Sequence, residues 1–264
     1  MGISGNEIKR IRSLAQKKYR DSLGLFTVEG EKMVGEALAS SFTVEEVYRR
    51  DEIGEEAMSR ISMLASPSPV LAVVRKPENL ALPQDSAGDF FGDKGFYMGL
   101  DTIRDPGNLG TILRIADWFG VDGILATEDT VDIFNPKVVQ ATMGAIFRVR
   151  FRYTVLPDAI RTLLKNGGRA YGTFMDGENI YTSGFGTGKD YPVMVITGNE
   201  ADGISEEVES LVSARLAIPS YPAGRHGSES LNAAVASAIA VAEFRRRAML
   251  QAACKPGMPF DFQE

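Results

Sequence analysis

The sequence holds a single cysteine, Cys254, and a single histidine, His226. One thiol excludes a disulfide within the chain, and one thiol with one imidazole excludes a cysteine-rich or histidine-rich zinc site. Long apolar runs are also missing, because the least polar stretch, 231–242, contains Asn232 and is shorter than the roughly 18 to 20 residues that span a membrane. The opening residues, MGISGNEIKR, lack the apolar segment of a signal peptide. We therefore expect a cytoplasmic protein that binds neither a membrane nor a metal.

The overall composition is that of an ordinary globular protein, with 44% hydrophobic and 24% charged residues. These fractions exclude a disordered chain, a collagen-like repeat and a coiled coil. The 35 acids outnumber the 29 bases, and the net charge of -6 argues against a protein that binds nucleic acid nonspecifically. Any nucleic acid has to be recognised by local positive charge.

Two segments carry such local charge. Six bases and no acid lie between Ile8 and Arg20, and seven bases face only Asp158 between Lys137 and Arg169. For each segment alone, a patch that contacts phosphates and a solvated helix face are about equally good interpretations. Within the first segment, the candidate RNA contacts are Arg12, Lys17, Lys18 and Arg20.

The first 75 residues alternate between helical and strand patterns. Apolar residues form one stripe over 6–18, which predicts a basic amphipathic helix with outward charges. After it we predict, in order, a strand, a helix, a strand, a helix and a strand at 25–29, 31–39, 44–49, 55–65 and 70–75. Residues 77–94 have the prolines, glycines and mixed polarity of a linker. The predicted organisation is a small domain over 1–80, a linker over 81–94 and a second domain over 95–264.

Strands and helices alternate regularly in the second domain. The predicted strands cover 96–101, 123–126, 169–174, 193–197 and 215–218, and the predicted helices cover 109–119, 136–145, 158–165, 206–213 and 229–248. Such alternation is typical of an α/β fold with a mostly parallel sheet covered on both faces. Ligands bind at the carboxyl ends of such strands, so the loops after Asp101, Thr197 and Ile218 are the expected functional loops.

Two motifs that suggest catalysis or phosphate binding fail on their spacing. The segment GFGTGK, residues 184–189, has Ser183 and Asp190 where a phosphate loop needs a glycine and a serine or threonine, so we predict a flexible surface loop. His226 lies near two serines, but the G-x-S-x-G turn of a nucleophile is missing. We expect His226 to be a loop residue without a role in catalysis.

The loop after Asp101 leads into a helix with a polar start. Asn108 is suited to cap the first turn of this helix. Its buried stripe is predicted to contain Leu109, Ile112, Leu113, Ala116 and Phe119. Arg114 lies off that stripe. A capped helix that opens toward a sheet crevice is a general anion site, so the spacing supports binding of a phosphate or a carboxylate.

Two later segments also follow predicted strands. Gly198 comes directly after a buried strand, where a glycine lets a ligand approach the backbone; a plain turn in which Ser205 caps the next helix is the alternative. The third segment starts at Ile218 and enters a helix rich in alanine and serine near Asn232. Small residues allow close packing against another segment or subunit, although they also simply favour a helix.

These three segments resemble the signature motifs of the SpoU-type (TrmH-like) RNA 2'-O-ribose methyltransferases of the SPOUT superfamily. They read DPGNLGTILRIADWFGV, VITGNEADGIS and IPSYPAGRHGSESLNAAVASAIAVAEF, and they occur in the family's order, each at a strand end. The N-terminal stretches NEIKRIRSLAQKKYR and FTVEGEKMVGEAL are similar to the substrate-binding domain of rRNA-modifying members, which is like an RNA-binding ribosomal protein. The loop from Ile218 to Ser230 departs from the family by its length and its GRHG stretch.

The resemblance implies a fold class that general folding rules discourage. It is an α/β protein whose C-terminal methyltransferase domain is a parallel sheet with a trefoil knot, preceded by a small N-terminal α/β domain of the ribosomal-protein type. The implied cofactor is S-adenosylmethionine, and the implied assembly is a homodimer. Residues that match the family's cofactor pocket are Thr197, Gly198, Ile218 and Leu231, and those that match its functional polar positions are Asn108, Arg114, Glu200, Ser230 and Asn232.

In the implied reaction a ribose 2'-oxygen attacks the methyl carbon of a sulfonium. An arginine side chain stays protonated at neutral pH and is a reluctant base, so we expect Arg114 to hold the neighbouring phosphate and stabilise the developing alkoxide. Glu200 is the alternative proton acceptor. The expected substrate is rRNA, with tRNA as the alternative. Two rival classes are a noncatalytic RNA-binding protein of the ribosomal type and a Rossmann-type methyltransferase. The second class needs a G-x-G turn after an early strand, and residues 101–110 of this sequence do not contain one.

Overall fold

The structure of the chain is a computed structural model that describes residues 3–78, 80–81, 87–222 and 230–253. In this part the elements follow in the order α1 (Gly5–Ser13), α2 (Lys17–Leu23), β1 (Leu25–Glu29), α3 (Glu31–Ala39), β2 (Val44–Arg49), α4 (Arg50–Ile53), α5 (Glu55–Ile61), β3 (Val70–Arg75), α6 (Ala87–Phe90), β4 (Gly95–Asp101), α7 (Pro106–Trp118), β5 (Gly123–Ala126), α8 (Pro136–Thr142), β6 (Phe151–Tyr153), α9 (Leu156–Lys165), β7 (Arg169–Phe174), β8 (Glu178–Asn179), β9 (Pro192–Gly198), α10 (Glu206–Glu209), β10 (Ala214–Ala217) and α11 (Ala233–Ala253). Six predicted elements are confirmed at the same bounds, namely the helix over 31–39 and the strands over 25–29, 44–49, 70–75, 123–126 and 169–174.

The chain forms two compact units. The first joins residues 1–80 to the later segments 104–114 and 131–149, and the second contains the remaining residues. A three-stranded antiparallel sheet in the order β1-β3-β2 lies at the centre of the first unit. Both β1 and β2 are edge strands of this sheet, but all residues of β1 are buried because α2, α3 and α8 pack against it, whereas β2 buries only Tyr48 fully. The core of this unit is formed by α1, α5 and the sheet, with Ile11, Leu14 and Met58 fully enclosed.

The predicted single helix over 6–18 is wrong, because the chain turns between α1 and α2. The side chain of Arg20 donates hydrogen bonds to the carbonyl oxygens of Leu14 (2.8 Å) and Ala15 (2.9 Å) in that turn. It also pairs with Asp132 of the same unit at 2.6 Å. Arg20 thereby satisfies backbone carbonyls that the end of α1 leaves without helical partners.

A seven-stranded sheet organises the second unit. Its order is β6-β5-β4-β9-β7-β10-β8, and all of its pairings are parallel. The central strands β4 and β9 are almost completely buried, which is typical of a parallel sheet covered on both faces. Helix α9 packs against β4, β5 and β7, and α11 packs against β9. The predicted α/β arrangement of this region is confirmed.

The segment GFGTGK is packed rather than a flexible surface loop, so that prediction is wrong. Phe185 and Thr187 are buried, and the ring of Phe185 stacks on Phe244 of α11 at 4.1 Å. The backbone N–H of Gly95 donates to the carbonyl oxygen of Gly188 at 2.9 Å, which joins the segment to the start of β4.

A membrane-spanning helix, long and apolar enough to cross a bilayer, is not found among the described residues.

Candidate active site at the carboxyl edge of the parallel sheet

The ends of β4 and β9 lie side by side. Their register pairs Leu100 with Thr197 and Asp101 with Gly198. The loops that follow these two strands therefore start next to each other at the carboxyl edge of the sheet. This is the arrangement that the alternation of strands and helices predicts, and it brings the residues directly after β4 next to the second sequence segment.

Asp101 joins the two loops. Its side chain is only 3% exposed, and its Oδ2 accepts hydrogen bonds from the backbone N–H (2.8 Å) and the hydroxyl (2.7 Å) of Ser205. The hydroxyl of Ser205 is thus directed at Asp101, and it makes no side-chain bond that caps α10. Hydrogen bonds to an ionised carboxylate are stronger than those between neutral groups, so Asp101 fixes the end of the second segment to β4.

Thr102, the next residue, has a left-handed backbone with φ of 61°. This conformation is uncommon for a β-branched residue and has to be held by its surroundings. Two side chains hold it: the hydroxyl of Thr127 accepts from the N–H of Thr102 at 2.9 Å, and the Asn199 amide donates to its carbonyl oxygen at 3.0 Å. The loop after β4 is therefore set by residues that follow β5 and β9.

The turn after β9 requires its glycine. A Cβ atom at Gly198 would overlap the backbone of Gly203, because Asn199 and Gly203 exchange two backbone hydrogen bonds of 2.9 Å. The side-chain oxygen of Asn199 also accepts from the N–H of Ala201 at 2.8 Å. Glu200, the candidate proton acceptor, is exposed at the tip of this turn.

Helix α11 places the third segment at the same end of β9. The hydroxyls of Thr197 and Ser237 lie 3.0 Å apart, and both residues are buried. Asn232 caps α11, since its side-chain oxygen accepts from the N–H groups of Ala234 (3.0 Å) and Val235 (3.2 Å). A capping role explains this asparagine without catalysis.

Residues just before α11 and after β10 offer apolar surface. Leu231 is 47% exposed, Ser230 is exposed, and Ile218 is half-buried. His226 and the GRHG stretch lie outside the described residues, as does Cys254, so the expectations for them stay predictions.

Asn108 is not the helix cap that its sequence position suggests. Helix α7 begins at Pro106, and Asp105 caps it by accepting the N–H of Asn108 at 2.8 Å. Proline fits the first helical position because its missing N–H would have no partner there, and this starts the helix earlier than the asparagine does. Asn108 is buried inside the first turn, whereas Arg114, two turns later on the same helix, is exposed. Both belong to the first unit.

The candidate RNA contacts differ sharply in exposure. Arg20 is 2% exposed and bound to Asp132, so its prediction as an RNA contact is wrong and its role is structural. Lys17 and Lys18 are exposed, although Lys17 pairs with Asp21 at 2.8 Å, a hydrogen bond that raises the pKa of Lys17.

Arg12, the fourth candidate, is also exposed and stays a prediction. Its guanidinium donates to the carbonyl oxygen of Ser62 and contacts Met63.

Sequence patterns do not identify the residues that build the sheet edge, namely Asp101, Thr102, Asn199 and Ser237. A charged residue at the end of an otherwise buried strand is the signal that could have identified Asp101, because an unpaired carboxylate is costly in that position.

Two sequence-family models match the chain. That of the SpoU rRNA Methylase family covers residues 95–242, and that of the MRM3-like substrate binding domain covers residues 5–76. The first match contains all of the sheet edge, and the second contains α1, α2 and the antiparallel sheet.

Individual relatives agree with these matches over nearly the whole chain. The 23S rRNA (guanosine(2553)-2'-O)-methyltransferase RlmP of Bacillus subtilis is 30% identical over 255 residues, which is 90% of this chain and 96% of the relative. A TrmH-family protein from Porphyromonas gingivalis has a TM-score of 0.81 at 34% identity, covering 94% of this chain and all of that one. An rRNA methyltransferase from Sinorhizobium meliloti, solved with bound AdoMet, has a TM-score of 0.80 at 30% identity, covering 94% and 97%. The expected fold class is confirmed, and the chain belongs to the SpoU rRNA methylase family of RNA methyltransferases.

Proposed function

We propose that the protein transfers a methyl group from S-adenosylmethionine to a ribose 2'-oxygen in rRNA. The observation that carries this proposal is the convergence of the residues directly after β4, the turn after β9 and α11 on the carboxyl ends of β4 and β9, through Asp101, Asn199 and the buried pair Thr197–Ser237. The bound AdoMet of the Sinorhizobium meliloti relative and the substrate of RlmP support it.

The residues at this edge fit a nucleoside cofactor. Leu231 and Ile218 offer apolar surface for a base. The turn at Gly198 leaves backbone groups near the strand ends, and the hydroxyl of Ser237 holds that of Thr197. When bound, S-adenosylmethionine supplies an electrophilic methyl group on a sulfonium. Asp101 and Asn199 act as positioning residues, because they hold the loops that carry these groups.

Arg114 is the proposed catalytic residue for the substrate side. Its exposed guanidinium can hold an RNA phosphate with two parallel bonds and stabilise negative charge on the reacting oxygen. Glu200, also exposed, is the proposed proton acceptor. Asn108, Ser230 and the capping residue Asn232 are proposed to support the geometry of these segments.

The N-terminal region is proposed to bind the substrate RNA, as a domain over 1–80 joined by a linker over 81–94 to the methyltransferase domain over 95–264. The match to a substrate-binding domain over 5–76 supports this, and so do Arg12, Lys17 and Lys18, which are exposed on one basic segment. An rRNA substrate is favoured over tRNA because RlmP, the relative described above, acts on 23S rRNA.

The test of this function is a comparison of substrates. Purified protein with S-adenosylmethionine labelled on the methyl group is incubated with unmodified rRNA or with unmodified total tRNA, and ribose methylation is mapped at nucleotide resolution. We expect a discrete 2'-O-methyl site in rRNA, and the same site to vanish from cells that lack the gene. Methylation of tRNA alone would replace the rRNA proposal, and base methylation would refute the reaction.

We also propose that the protein is a homodimer. Trp118 at the end of α7 is 85% exposed, and Val235, Met249 and Leu250 on α11 are 47%, 60% and 48% exposed. Large apolar side chains that are exposed together on two helices are typical of an interface. Light scattering should give twice the 28.7 kDa of one chain. Trp118→Glu should give the monomer mass, and a wild-type monomer that is fully active would contradict the proposal.

A further inference from the structure

A cavity of about 320 Å³ lies inside the first unit, outside the sheet edge described above. Its walls come from β1, from the residues after α5 and from α8. Its size falls within the range of about 300 to 1,000 Å³ that small-ligand pockets occupy.

The cavity contains one buried carboxylate. Glu29 at the end of β1 is 4% exposed, and its two oxygens accept from the hydroxyl of Ser62 and the N–H of Met63, each at 2.6 Å. A carboxylate offers about four lone-pair directions, so these two donors fix its orientation and leave acceptor capacity for a ligand. A buried carboxylate with spare acceptor capacity favours a ligand that presents adjacent N–H donors.

The remaining walls suit a flat ring near a phosphate. Met63 and Leu64 provide apolar surface, Gln140 of α8 is half-buried with both donor and acceptor groups, and Lys137 is exposed at the start of α8. Lys137 also opens the second basic segment of the sequence. An ammonium beside an apolar pocket with a fixed acceptor matches the parts of a nucleotide, namely a phosphate, a ring and a hydrogen-bonding base edge.

We propose that this cavity binds a single unpaired guanine base of the RNA substrate, an inference that rests on the proposed function. Guanine presents two adjacent donors, N1–H and the exocyclic amine, on its Watson–Crick edge, and Glu29 can accept from both. Adenine and cytosine offer one donor beside an acceptor that a carboxylate repels, and uracil offers one donor between two carbonyl groups. The first unit thereby selects RNA by one base as well as by phosphate charge.

The test uses two labelled pentaribonucleotides, UUGUU and UUAUU, and fluorescence anisotropy on the full chain. Wild type should bind UUGUU about tenfold more tightly, as a good two-bond contact to a base provides. Leu64→Trp fills the cavity from a half-buried position and should remove this preference. Leu38→Trp, at a 57% exposed position of α3, is the matched control and should keep it. Glu29→Gln loses one acceptor oxygen. It should therefore reduce the preference for UUGUU without weakening the binding of UUAUU.

Equal binding of the two oligonucleotides by wild type, or a guanine preference that persists in Leu64→Trp, would overturn the pocket. If Glu29→Gln does not fold, Leu64→Trp still tests whether the cavity binds the guanine base. The readout is independent of methyl transfer: a guanine preference without rRNA methylation refutes the proposed function alone, and rRNA methylation without the preference refutes the pocket alone.

Discussion

The carboxyl edge of the parallel sheet and the basic helices α1 and α2 use polar side chains in different ways. At the sheet edge, Asp101 and Asn199 bind backbone groups of neighbouring loops and so define a site. In the basic helices, charges pair with acids that lie just outside the basic run, as Arg10 does with Glu7 and Lys17 with Asp21, or far from it in sequence, as Arg20 does with Asp132. A run of bases in a sequence therefore overstates the positive charge that is available to RNA, because the fold supplies acids that the run does not contain.

The largest expected effect is the loss of stability when Arg20, the buried base of α2, is replaced. Arg20→Ala leaves Asp132 buried without its partner, and breaking such a pair costs about 3 to 5 kcal/mol of the free energy of unfolding. Urea unfolding followed by circular dichroism measures this loss. Lys18→Ala, on the same helix but exposed, is the control and should change stability by less than about 0.5 kcal/mol. Equal effects of the two substitutions would contradict a structural role for Arg20.

The second prediction concerns the exposed arginine of α7. If Arg114 stabilises charge on the reacting oxygen, Arg114→Ala should lower single-turnover methyl transfer by about 100-fold or more. The affinity for S-adenosylmethionine, measured by calorimetry, should change little, since the proposed cofactor residues lie on other segments.

Arg114→Lys serves as the matched variant. It keeps the charge but loses the planar group that grips a phosphate with two bonds, so it should recover only part of the rate. Full recovery would reduce the role of Arg114 to that of a point charge, and near-normal transfer in Arg114→Ala would remove it from the chemistry.

The third prediction tests whether hydrogen bonds build the sheet edge. Asp101→Ala removes the acceptor for both Ser205 donors and should weaken S-adenosylmethionine binding by about tenfold, the equivalent of one hydrogen bond to a charged group. Asp101→Asn keeps one oxygen and should weaken binding less. Unchanged affinity in both variants, by calorimetry, would show that this link is not needed for the cofactor.

Sequence patterns predicted the elements far better than the contacts between them. The strands of the first unit were predicted at their bounds because short runs of apolar and β-branched residues are a local signal. The start of α7 was missed because Asp105 and Pro106 together make a stronger helix start than Asn108, although each alone is common in loops. Arg20 was missed because its partner is 112 residues away, a distance that no local pattern spans. The adjacency of Asp101 and Gly198 could be expected only from the rule that ligands bind where parallel strands end.

The smallest predicted effect concerns the two exposed lysines of α2, Lys17 and Lys18, and the salt dependence of RNA affinity. RNA affinity should fall with salt, and each lysine that contacts a phosphate of single-stranded RNA contributes about 0.7 units to the slope of log K against log salt concentration. Lys17→Ala with Lys18→Ala should therefore flatten the slope by at most about 1.4 units. Most of the change should come from Lys18, since the charge of Lys17 is offset by Asp21 at 2.8 Å. Asp21→Asn should steepen the slope for the same reason. A slope that none of these changes alters would mean that the basic helices are a solvated face and that the substrate RNA is bound elsewhere on the protein.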